Sequence, residues 1–137
     1  MKENEKIIRV VSALDLYVTE EIRKKRVESG LSQSALSVEM GFSDKLVGNI
    51  ENPSLPAKYS IRHINLVARY FKCNSIDFLP PEGFLKDDLV RITVEKKWKK
   101  DNNEIRRKIP VITKTVPLTK DEVSEYNRMR QKPYPNQ

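Results

Sequence analysis

Apolar residues near the start of the chain fall at Ile7, Val11, Leu14, Val18 and Ile22, at steps of four, three, four and four. Such steps line one face of a helix. They predict one long helix or two consecutive ones over roughly 5–28, with Gly30 as a left-handed exit. Ser32 then reads as an N-cap, with Leu36 and Met40 facing inward and Gly41 ending that helix. Ser43 reads as the next cap, Val47 and Ile50 as its buried face, and Pro53 as its stop. Ser60 opens a fourth helix bearing Ile61, Ile64, Val67, Ala68 and Phe71, and a short fifth from Ser75 to Leu79 stops at Pro80-Pro81.

Beyond residue 81 the period changes from helical to two. Val90, Ile92, Val94 and Trp98 alternate with Arg91, Thr93, Glu95 and Lys97, which predicts a half-buried strand. Lys99 to Glu104 reads as a turn. Ile105, Ile109 and Val111 resume the alternation, and Pro110 suits an edge strand. Thr119-Lys-Asp-Glu122 is a capping-box pattern, followed by a helix with Val123, Tyr126 and Met129 on one stripe. The tail from Lys132 is expected to be disordered. The expected organisation is an N-terminal helical extension over 1–17, a helical domain over 18–80, a β-hairpin plus helix over 81–131, and a tail over 132–137.

Charge changes this picture in one respect. The chain of 137 residues has a formal net charge of +7, which favours a polyanionic partner. Residues 1–83 hold 12 Lys and Arg against 11 acids, whereas residues 84–137 hold 14 against 8. The basic character therefore belongs to the last third. No apolar run approaches the ~20 residues of a spanning helix, and the N-terminus has no signal-peptide apolar core. Cys73 is the single cysteine and forms no internal disulfide. The expected location is the cytoplasm.

The segment from Ser32 to Asn52 meets the demands of a helix-turn-helix: Gly41 at the turn, small or apolar residues Leu36, Ser37, Met40, Val47 and Ile50 at the crossing, and a polar outer face. With Gly-Leu-Ser-Gln33, Gly41 and Ile50-Glu51-Asn52, residues 22–80 resemble the phage lambda-repressor/Cro-like (XRE) family of DNA-binding proteins. The resemblance implies a mainly α fold, a five-helix domain carrying the C-terminal extension. It also implies that helix 43–52 enters the major groove of double-stranded DNA as part of a repressor-like transcription regulator. On this reading Ser43, Asp44, Lys45 and Asn49 read bases, while Gln33, Asn52, Lys58 and Tyr59 hold the DNA backbone. Arg26 and Glu51 are implied as a structural ion pair. Ser37 stands in place of the family's usual alanine, Pro53 in place of glycine, and Asp44 sits where relatives carry neutral or basic residues.

No enzyme is expected. His63 is the only histidine, Cys73 has no partner residue nearby in the sequence, and Asp87-Asp88 falls in a linker. No cofactor or metal is expected either. The alternative reading is a protein-binding module, such as an antitoxin-type partner, built on the same fold. The extension over 84–137 is expected to support a homodimer or a second DNA contact.

Overall fold

A computed structural model describes residues 5–100 and 106–130. The chain runs β1 (Ile7–Ser12), α1 (Ala13–Glu28), α2 (Gln33–Glu39), α3 (Leu46–Glu51), α4 (Ile61–Phe71), a 3-10 turn (Ser75–Phe78), β2 (Leu89–Lys100), β3 (Arg106–Pro117) and α5 (Lys120–Arg130). The expected mainly α, five-helix architecture is therefore corrected. Helices share the molecule with a three-stranded antiparallel sheet in the order β1-β2-β3, and a 3-10 turn replaces the fifth helix.

The largest change is at the start, where the expected helix is β1. Ile7, Ile8, Val10 and Val11 are β-branched, and such side chains favour extended backbone. Their spacing is also ambiguous. A step of four places Ile7 and Val11 on one face of a helix or of a strand, because four is a multiple of the strand period. The strand ends at Ser12, whose extended backbone and hydroxyl, accepting from the Asp15 N–H at 3.2 Å, cap α1.

Two cores meet along α1. Val18 and Ile22 join Leu36, Met40, Val47, Ile50, Tyr59, Val67, Ala68 and Phe78 in the helical core. Ala13 and Leu16, one to two turns earlier, pack with Ile7 and Val11 on buried Val90, Ile92 and Val94 of the sheet. Arg9 shares the sheet face with Ile7 and Val11, and its Nη1 donates to the carbonyls of Pro53 (2.7 Å) and Leu55 (2.9 Å). That tie holds the 53–58 loop against β1.

Strand lengths then create a projection. The last β1–β2 pair is Ile7 with Val94, whereas β2 and β3 stay paired from Glu95–Val111 out to Lys100–Arg106. Residues 95–100 and 106–111 thus form a two-stranded ribbon beyond β1, about 20 Å long at ~3.3 Å per residue. Lys99 and Lys100, expected in a turn, belong to β2; the rest of that turn and the tail expected to be disordered lie outside the described residues. A bulge at Thr93/Val94 leaves Thr113 extra on β3, and its hydroxyl donates to Glu95 at 2.6 Å. At the other end of the sheet, Arg91 pairs with Glu122 of α5 at 3.4 Å. Thr119 and Glu122 form the reciprocal box that starts this helix.

Candidate functional site

Three places concentrate polar side chains: the α2–α3 pair, the cleft under the 53–58 loop, and the distal ribbon.

In the α2–α3 pair the polar groups serve the fold. Arg26 of α1 donates Nε and Nη2 to the two Glu51 oxygens, both at 2.8 Å, and Nη1 to the Leu31 carbonyl at 2.9 Å. Their side chains are 12% and 5% exposed, so the bidentate pair is largely withdrawn from water. Gln33 Nε2 donates to the same carboxylate at 3.0 Å. Helix α3 begins at Leu46, later than expected. Its N-cap is Lys45, with no side-chain capping bond, so Ser43 is not the cap. The missing cap comes from α2. Buried Ser37 accepts from the Val47 N–H at 2.9 Å while donating to the Gln33 carbonyl at 2.8 Å, which gives the hydroxyl at this crossing a structural task. A Cβ at Gly48 would lie 3.2 Å from Gln33 Oε1, so a larger residue there would have to push the Gln33 side chain aside by a few tenths of an ångström.

The residues expected to grip a DNA backbone are placed otherwise. Tyr59 is 7% exposed and belongs to the helical core; burial raises its phenol pKa further above the ordinary value. Asn52 accepts from the Ser54 N–H at 2.9 Å in a tight turn. Lys58 pairs with Asp15 at 3.6 Å, and Gln33 is held by Glu51. Ser43, Asp44, Lys45 and Asn49 are exposed, but three of them precede the helix and Lys45 is their one cation. A six-residue α3 with this surface gives no physical support to the expected groove-reading role.

The cleft encloses about 1210 Å³ between α1, the 53–58 loop, the sheet and α5. Beside Lys99 of β2 and Arg130 of α5, which also line it, the charged groups of its floor are paired internally. Arg9 holds the loop, Lys58 meets Asp15, Arg23 binds Glu20 at 2.8 Å, and Arg26 binds Glu51. His63 lies elsewhere, capping α4. Its Nδ1 accepts from the Ser60 N–H at 2.9 Å, and its ring meets Phe42 edge-on. Partial burial, then the Arg62 charge, lowers its pKa. Among the described residues no group of three or more His, Cys, Asp or Glu side chains could hold a metal ion.

The distal ribbon differs from both. Paired residues share a face, and faces alternate along a strand. One face therefore carries Lys96, Trp98, Lys100, Arg106, Lys108 and Pro110, and the other carries Lys97, Lys99, Arg107 and Ile109. Residues 96–108 contain seven Lys and Arg against Asp101 and Glu104, a net charge of +5. Trp98 is 54% exposed. The Arg106 guanidinium lies 5.4 Å from its ring centroid and the Lys108 ammonium 5.6 Å. At the root of the ribbon the Thr113 hydroxyl, helped by the charges of Lys6 and Lys97, keeps the Glu95 carboxyl below its usual pKa. The excess of +6 over residues 84–137 signalled this region; its concentration on a projecting ribbon depends on where β1 stops.

No family model and no curated protein matches the chain. Solved structures that match include the hydroxypropylphosphonic acid epoxidase from S. wedmorenis, at 9% identity over 78% of this chain and 88% of that one, with a TM-score of 0.44. Another is FeII HppE in complex with substrate, at 11% identity over 75% and 86%, with a TM-score of 0.42. The expected lambda-repressor-like membership is corrected accordingly: no family model carries it, and these matches are enzymes. With it go the double-stranded DNA partner, the transcriptional role, the alternative antitoxin-type protein partner, the homodimer and the expectation of a non-enzymatic chain. Likeness at these TM-scores carries no activity over in their place. With one histidine in the sequence and the donor grouping described above, nothing of the FeII site is carried over. No helix of the described residues is long and apolar enough to cross a membrane.

Proposed function

We propose that this chain is a binding module for an anionic polymer, with the distal ribbon of β2 and β3 as its working element. One observation carries the reading: seven cations crowd residues 96–108, on a ribbon of β2 and β3 that projects beyond β1. Like charges this close repel one another in the free protein, and a polyanion relieves that repulsion while releasing its own counterions. The helical part anchors the ribbon. Its charged groups around Glu51 and Asp15 are paired internally and contribute rigidity.

The same reading keeps a boundary near residue 80, between a helical part and the segment that supplies the ribbon. It also keeps a cytoplasmic location, on the single cysteine Cys73. Fluorescence anisotropy with labelled heparin tests the proposal on the intact chain. Binding at low salt that weakens steeply as salt is added is expected. Absence of binding at 50 mM salt would overturn the proposal.

A further inference from the structure

We infer that the polymer is single-stranded RNA and that Trp98 is the platform on which a base stacks. The inference rests on the ribbon being the anionic-polymer site. Trp98 is large, apolar and half exposed at a place where charge would be the only need of a purely ionic site. Lys96 and Lys100 lie two residues to either side of it on the same strand face, at about 6.7 Å steps. Lys108 stands directly opposite it and Arg106 diagonally across, and both cations lie over the indole ring. A stacking base therefore takes the place of one of these long side chains, which then turns to meet the phosphate.

An aromatic ring ringed by cations at such steps suits a polymer that offers a flat base and a phosphate in each repeat. Stacking on an aromatic with basic groups tracking the backbone is the general means of binding single strands. A duplex hides its base faces, so it engages only the charges. A lipid surface fits less well. Both faces of the ribbon are charged, Lys97, Lys99 and Arg107 lying opposite the Trp98 face, and interfacial insertion needs one apolar face.

Trp98 is the only tryptophan in the chain, so its intrinsic fluorescence reports on this position alone. The intact protein is titrated with oligo(U) of about twelve nucleotides, with duplex DNA of matched phosphate number, and with phosphatidylserine vesicles. Quenching by oligo(U) is expected, with tighter binding than to the duplex. By anisotropy, Trp98→Ala should weaken oligo(U) binding roughly tenfold more than it weakens heparin binding, and Trp98→Phe should recover most of that difference. Heparin binding with equal losses for both ligands would overturn the stacking inference while leaving the anionic-polymer reading intact. A blue shift on vesicles without quenching by oligo(U) would overturn it in favour of a lipid surface. Failure of heparin and oligo(U) alike would remove the reading on which it rests.

Discussion

The helical part and the distal ribbon use the same charged residue types to opposite ends. Around α1 and α3, Arg26, Glu51, Gln33, Lys58 and Asp15 satisfy one another at 2.8–3.6 Å, and the central pair is nearly buried. On the ribbon, Lys96, Lys97, Lys99, Lys100 and Arg106–Lys108 outnumber the two carboxylates, Asp101 and Glu104, within residues 96–108. Charge in the first region fixes geometry; charge in the second creates a field. Substitutions in the two regions should therefore separate stability from binding.

The largest expected effect is on stability. Glu51→Ala leaves the Arg26 guanidinium withdrawn from water without its carboxylate, which should cost about 3–5 kcal/mol in chemical denaturation. Heparin affinity at a temperature where the variant is folded should stay within twofold. Second in size is the converse experiment. Reversing Lys96, Lys97, Lys99 and Lys100 to Glu should weaken heparin binding by roughly 100-fold at low salt, given the steep dependence on neutralised charges, with the denaturation midpoint little changed. If both variants lost both properties, the division between the regions would collapse.

Smaller effects sharpen the account of the helical part. Ser37→Ala removes the acceptor of the buried Val47 N–H, and a loss of about 1–3 kcal/mol is expected in the same denaturation assay. A cost near zero would show that the cap borrowed from α2 is dispensable. The smallest effect concerns pH. His63 has a folded pKa below its ordinary 6.5 because burial, and then Arg62, disfavour the cation. Its neutral Nδ1 also accepts from Ser60. The contribution is complete above 6.5 and declines as pH falls toward the folded value. Melting temperature should accordingly drop slightly more between pH 7 and pH 5 in the parent than in His63→Gln.

Much of the local structure was legible because caps and turns act at short range. Ser32 accepts from the Ala35 N–H, Gly30 and Gly41 take positive φ, and Thr119 and Glu122 pair as their spacing suggested. Strand β1 was not legible, because a spacing of four fits both periods and its partner lies about eighty residues away at Leu89–Val94. Site residues were harder still. Gln33, Asn52 and Tyr59 matched a motif whose residue types suit phosphate contact. Gln33 does bond Glu51 of α3, the buttress that the motif also implies, whereas Asn52 serves as a turn acceptor and Tyr59 as a core ring. Residue type told what each could do, and burial decided what it does. The basic excess after residue 83 was visible in the sequence, but its placement beyond β1 required the pairing register.

The most direct test is the salt dependence of heparin binding by the intact chain and by the variant with Lys96, Lys97, Lys99 and Lys100 reversed to Glu. For the intact chain, log affinity should fall linearly with log salt concentration. The variant should bind weakly, with a slope lower by about three to four units if each lysine meets one charge. Equal slopes in the two proteins would show that the ribbon is not the binding element.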